Sequence, residues 1–224
     1  MTSDTKPNPT LDFMTVVPVS FQLCGWLPAW WRGAAGGDDV LELIGADLMT
    51  RVSPLRATTT ALSAYSPDLG VGTLPGPKPV TEAAVAAGEA VILHAGPGQP
   101  STVLIPGVGL LPAGVPRPLD LDLDQAAAEF AQAVVRAEHE LRSTGAAVCS
   151  DVPAMTVRPL PPGADGQRKG LLVRAVRVWT AVGSVPAAQR SAALQDVVRC
   201  SARAALTAYR EAPVLTSDRT RRFA

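Results

Sequence analysis

The sequence contains few residues that could hold a metal or form a disulfide framework. It has three cysteines, Cys24, Cys149 and Cys200, which lie far apart, and its only histidines are His94 and His139. No CxxC pair is present, so a zinc site would have to be assembled from single residues scattered along the chain. We therefore expect no metal and no cofactor. Lone cysteines of this kind are typical of small buried hydrophobic residues in a reducing cytoplasm.

An excess of positive charge is also missing. Lysine and arginine together number 20, as do aspartate and glutamate, which gives a formal net charge of zero. Proteins that bind nucleic acid usually carry a basic excess on one face, so we expect no nucleic-acid partner. Hydrophobic residues make up 47% of the chain, which is enough for a sizeable core and argues against global disorder.

The stretch 90–114, AVILHAGPGQPSTVLIPGVGLLPAG, is the closest approach to a phosphate-binding loop. It has no lysine, it places Pro97 and Pro100 where free backbone amides would be needed, and it continues into a strand pattern. Leucine and β-branched residues on both sides of a glycine-rich turn instead predict an antiparallel hairpin. These glycines are expected to turn the chain.

Other candidate catalytic and metal-binding motifs lack residues that the chemistry requires. The LDLDLD run begins like a calcium loop, but Gln125 replaces the glycine and Ala131 replaces the glutamate that such a loop needs. There is no GxSxG motif. His139 lies among charged residues of a predicted helix. His94 lies in a predicted strand, where packing or hydrogen bonding is the simpler role, and it is the best polar candidate for a small-molecule site.

Residues 13–31 form an uncharged run that approaches the length of a membrane span. Pro18, Pro28 and several polar residues interrupt it, and the β-branched residues near its start alternate. We therefore interpret 11–23 as strand-like and the following GWLPAWW as a turn. A signal segment or membrane contact through 13–31 is the alternative.

The fold predicted from these patterns is α+β, with two long helices packed on one face of an antiparallel sheet and an N-terminal helical or strand segment. The predicted sheet contains the hairpin at 90–111 and strands near 155–160 and 170–182. The predicted helices include an amphipathic helix over 36–52, a short helical piece at 55–65, and the long helices 124–144 and 186–211. Composition divides the chain into a polar arm at 1–10, an N-terminal segment at 11–65, a proline- and glycine-rich linker or loop at 66–80, an α+β domain at 81–212 and a basic tail at 213–224.

Two features indicate binding to a protein partner. Trp26, Trp30 and Trp31 fall within six residues, and tryptophan is enriched at interface hot spots. Packing onto the protein's own core is the alternative role. The last helix carries arginines opposite its apolar face, at Arg199, Arg203 and Arg210. They form either a solvated face or a contact for an acidic partner.

The sequence therefore predicts a non-catalytic protein-interaction component, such as an adaptor, a chaperone-like protein or an assembly subunit, located in the cytoplasm. Its partner would be another protein or a second copy of the chain. The alternative is a small-molecule enzyme or ligand-binding protein with a pocket between sheet and helices, near His94. Exposed tryptophans would favour the first prediction.

Overall fold

A computed structural model describes residues 17–74, 76–96, 98–114, 122–144, 157–183, 185 and 189–210. These residues form an α+β fold, as the sequence predicts. The elements in the described ranges are the helices α1 (Val19–Trp31), α2 (Gly37–Val52), α3 (Lys78–Ala87), α4 (Leu123–Thr144), α5 (Gly166–Gly183) and α6 (Ala192–Tyr209), the short 3-10 helices Ser53–Ala57 and Pro67–Leu69, and the strands β1 (Ala61–Tyr65), β2 (Ala90–His94), β3 (Thr102–Ile105) and β4 (Gly109–Pro112).

The four strands form an antiparallel sheet in the order β1-β2-β3-β4. The predicted hairpin is confirmed, because Val91 of β2 pairs with Leu104 of β3. Gly98 in the β2–β3 connection and Gly107 in the β3–β4 connection both have a φ of 74°. This left-handed conformation favours glycine and accounts for their presence in the two turns.

The sheet is covered on both faces. Val91, Leu93 and Leu104 face the large core that also contains α1 and α6. Ile92 and Val103 point to the opposite face, where they pack in a smaller cluster with α3. This alternation follows from the two-residue repeat of a strand. The long helices therefore lie on one side of the sheet, and α1 lies between them and strands β1 and β2.

Helix α1 corrects the prediction of a strand over 11–23; residues 11–16 lie outside the described residues. From Val19 the chain is helical, and ten of its thirteen residues are buried. A helix that is apolar on all sides shows no amphipathic repeat, so periodicity could not distinguish it from a buried strand. No helix in the described ranges combines the length and apolar character that crossing a membrane requires.

Helix α6 is the centre of the helical layer and packs against α4, α5 and α1. Most of its residues are buried, and many of them are small, including Ala202, Ala204, Ala205 and Ala208. Small side chains allow neighbouring helices to approach closely. The helix begins at Ala192, later than the predicted 186, and Ser191 caps it by accepting a hydrogen bond from the Leu194 N–H.

Three further predictions were wrong. The predicted strand at 170–182 is helix α5, whose buried Leu171, Leu172, Ala175 and Val176 follow helical spacing. The predicted helical piece at 55–65 contains the end of a 3-10 helix and then strand β1. Residues 157–160 form no strand, and 155–156 lie outside the described residues. The predicted helices over 36–52 and 124–144 are confirmed.

Candidate functional site

The tryptophans of the GWLPAWW segment lie inside the protein. Trp26 and Trp31 are 4% and 7% exposed, and Trp30 is partly buried against the same core. The indole N–H groups of Trp26 and Trp31 are buried without a hydrogen-bond partner in the part of the chain that the structure describes. This burial gives the tryptophans a packing role, the alternative that the sequence also allowed.

Two of the three predicted arginines pair with carboxylates, Arg203 with one in α4 and Arg199 with one in α6 itself. Arg203 Nη1 lies 3.0 Å from Glu129 Oε2, and Arg199 Nη2 lies 2.5 Å from Asp196 Oδ1. Arg136 of α4 also binds Asp196. Hydrogen bonds from Arg199 and Arg136 lower the pKa of Asp196. These arginines are therefore engaged within the chain, although Arg199 stays 57% exposed.

Arg210, the third predicted arginine, lies just after α6 near the core. Burial lowers the pKa of His94 and raises that of Cys24, and the positive charge of Arg210 adds to the first effect and partly opposes the second. Its carbonyl accepts a hydrogen bond from the guanidinium of Arg168. This end of α6 is thus held by α5, and Arg210 is not presented on an open arginine face.

His94, the candidate for a ligand site, forms a buried pair with Ser63. The Ser63 Oγ lies 2.6 Å from His94 Nε2, and both residues are 3% exposed. Burial, reinforced by the charge of Arg210, lowers the pKa of His94 to about 4. The ring is therefore neutral near pH 7. A serine beside a neutral imidazole can act as nucleophile and base, but this pair is enclosed by the sheet, where it satisfies two buried polar groups.

The two cysteines in the described ranges, Cys24 and Cys200, show no sign of activation. Cys24 and Cys200 are buried and unpaired, and burial raises the pKa of the Cys24 thiol to about 12. Such thiols stay protonated and act as hydrophobic groups. Cys149 lies outside the described residues. Within the described ranges, no three His, Cys, Asp or Glu residues cluster in a way that could hold a metal ion.

The outer face of α5 is a candidate surface that the sequence patterns did not predict. Lys169, Val173 and Arg177 lie one helical turn apart, Arg174 and Gly170 lie beside them, and all five are exposed. We call these five residues the α5 contact face. Val173, at 45% exposure, is one of the most exposed large hydrophobic residues described. The sequence 166–183 contains no aspartate or glutamate.

The cations of the α5 contact face differ from most others in the described ranges. Lys169, Arg174 and Arg177 make no ion pair with a described carboxylate; Arg174 bonds only to the Gly170 carbonyl. Cations elsewhere do pair with carboxylates: Arg51, Lys78, Arg136, Arg142, Arg158, Arg168, Arg199 and Arg203. The strand predicted for 170–182 would place Arg174 and Arg177 on opposite faces of a sheet, whereas the helix places them on one exposed face.

Comparison of the chain with models of known protein families, with curated proteins and with solved structures found no match.

Proposed function

We propose that the protein is a non-catalytic protein-interaction component that binds a protein partner through the α5 contact face. The observation that carries this proposal is the concentration, around the exposed Val173, of three cations that pair with no described carboxylate. The internal pairing of Arg199 and Arg203 leaves α5 as the better-placed basic surface. Trp26 and Trp31 are buried in the core and do not form part of this surface.

The composition of the face suits contact with an acidic protein surface. Lys169 and Arg177 are eight residues apart, which on a helix is about 12 Å. Charges in this arrangement speed association and fix orientation, while the apolar patch at Val173 adds affinity by leaving water. Because the cations are exposed, the attraction should weaken as salt increases.

The proposal is tested by isolating the tagged full-length protein from its own cells at low and moderate salt. We expect a discrete complex with the wild-type chain. Lys169→Glu plus Arg177→Glu should abolish it. The matched control, Arg56→Glu plus Arg142→Glu, reverses exposed cations outside the face and should leave the complex intact. Equal recovery with all three proteins would contradict the proposal.

The small-molecule alternative depends on one observation, the 2.6 Å contact between Ser63 and His94. If the pair served a ligand or a reaction, Ser63→Ala would abolish activity in a protein that still folds. If the pair is structural, Ser63→Ala changes stability alone, because it leaves a buried ring nitrogen without its partner. Thermal unfolding together with a cell-based assay of the chain's activity separates these outcomes.

A further inference from the structure

Gly170 lies in the interior of α5, yet no described neighbour requires a glycine there. A Cβ built at this position would meet nothing within 4 Å, and the backbone φ is not in the left-handed region. A glycine inside a helix is unfavourable relative to alanine because it is more mobile in the unfolded chain. The described residues therefore offer neither a steric nor a conformational reason for Gly170.

The surroundings of Gly170 suggest what approaches it. It lies on the same exposed face as Lys169, Val173 and Arg174, and Gly166, one turn earlier, also faces open space. Small residues one turn apart let the backbone of a second helix come close. The cations around them would then meet carboxylates on that helix.

We propose that the partner presents an acidic α-helix that packs across α5 at Gly170. This inference rests on the proposed function and adds the partner's chemistry and its mode of contact. Acidic side chains eight residues apart on the partner helix would match the spacing of Lys169 and Arg177, and an apolar side chain between them would meet Val173. Gly170 sets the close approach, and Val173 provides the apolar contact beside it.

Other occupants fit the face less well. A membrane-surface helix carries large apolar residues toward the lipid, whereas Val173 is the only large apolar side chain on this face. Duplex DNA or RNA is bound through many phosphate contacts, and the face offers three cations with a glycine and a valine at its centre. An acidic helix would supply carboxylates for the three cations, and its backbone could approach the open space over Gly170.

The test measures direct binding to the full-length protein by fluorescence anisotropy. The probe is a labelled helical peptide of about 20 residues, built from Glu, Ala and Leu with acidic residues along one face. A second peptide of the same charge carries two central prolines and cannot form the helix. We expect the helical peptide to bind at least about tenfold more tightly than the proline peptide.

Variants of two of the open glycines in α5 give the matched control. Gly170→Leu should weaken binding of the helical peptide by about tenfold or more, because the side chain blocks close approach. Gly183→Leu adds the same side chain at the far end of α5, where a Cβ also meets nothing within 4 Å, and should leave binding unchanged. Circular dichroism checks that both variants fold.

Each contrary outcome has a distinct meaning. If both peptides bind equally and Gly170→Leu has no effect, the contact is purely electrostatic and the helix inference is wrong, while the α5 contact face stands. Tighter binding to duplex DNA or to anionic lipid vesicles than to the helical peptide would also overturn it. Failure of the proposed function appears separately, as a native complex unaffected by Lys169→Glu plus Arg177→Glu.

Discussion

The carboxylate of Glu89 accepts a hydrogen bond from the backbone N–H of Ser20 at 2.7 Å, although 69 residues separate them. Pro18, the N-cap residue of α1, makes no side-chain cap, and the first turn of α1 contains no acidic residue. Glu89, from the loop between α3 and β2, therefore supplies the negative charge and the acceptor that a helix N-terminus favours. The sheet region thus stabilises the start of the buried helix.

Removing this carboxylate should destabilise the fold. Glu89→Ala leaves the Ser20 N–H without its acceptor, and we expect a loss of about 1 kcal/mol in the free energy of unfolding. Urea denaturation measures it. Glu82→Ala, which removes an exposed carboxylate from α3 paired only with Lys78, is the control and should cost much less. Equal effects would show that Glu89 does not cap α1.

Stability should fall in mildly acidic solution because of His94. Its pKa is about 4 in the folded protein, against 6.5 for an ordinary histidine. Well above pH 6.5 the ring is neutral in both the folded and the unfolded chain, so His94 does not lower the free energy of unfolding there. As the pH falls from 6.5 toward 4, the unfolded chain takes up a proton that the folded chain resists, and on the order of 2–3 kcal/mol is lost.

The pH effect is isolated by a variant. His94→Gln has no group that titrates in this window, so its unfolding free energy should change less between pH 7 and pH 4.5 than that of the wild type. Both proteins contain the same carboxylates, so subtracting one profile of unfolding free energy against pH from the other leaves the contribution of His94. Parallel profiles would mean that His94 is protonated as easily in the folded protein as in the unfolded chain.

Alanine at Gly170 should stabilise the isolated protein. The position has open space and ordinary helical backbone, so we expect a gain of roughly 0.5–1 kcal/mol from the reduced freedom of the unfolded chain. Gly88 makes a sharp control, since its Cβ position is also open but its φ is 74°. Gly88→Ala should therefore be destabilising. Thermal unfolding of the two variants measures the contrast, and a loss of stability in Gly170→Ala would contradict it.

Alanine at Gly25 should be poorly tolerated. A Cβ there would lie 2.5 Å from the backbone oxygen of Tyr209 and 3.1 Å from Pro161. Helices α1 and α6 therefore meet at Gly25 with no room for a methyl group. We expect Gly25→Ala to cost about 1–3 kcal/mol, the usual range for overpacking a core. An unchanged denaturation midpoint would show that the two helices can separate without penalty.

The parts of the fold that the sequence predicted correctly are those with strong local signals. The β2–β3 hairpin has glycines in its turn and apolar strands on both sides, and α4 has an amphipathic repeat through Phe130 and Ala137. Helix α1 lacks such a signal, because most of its residues are buried on all sides, and it depends on Glu89 and the surrounding core. In α5, the buried Leu171, Leu172, Ala175 and Val176 carry a helical repeat, but the valines of the same run also suit a strand, and the strand prediction was wrong.

The same ambiguity hid the α5 contact face. The sequence predicts partner binding through Trp26–Trp31 and through the arginines of the last helix. Burial of the tryptophans depends on tertiary packing, and the pairing of Arg203 with Glu129 depends on how α4 lies against α6. Both depend on contacts between residues that are far apart in the sequence, so local patterns could not predict them.

A photo-crosslinking amino acid at position 173 tests the central claim most directly. With benzoylphenylalanine replacing Val173 in cells that make the partner, irradiation should give one discrete adduct. The same group at Val135 of α4, which is more exposed at 64%, should give none, and Lys169→Glu plus Arg177→Glu should remove the adduct at 173. No adduct at position 173, or equal adducts at 173 and 135, would contradict the proposal that α5 is the contact surface.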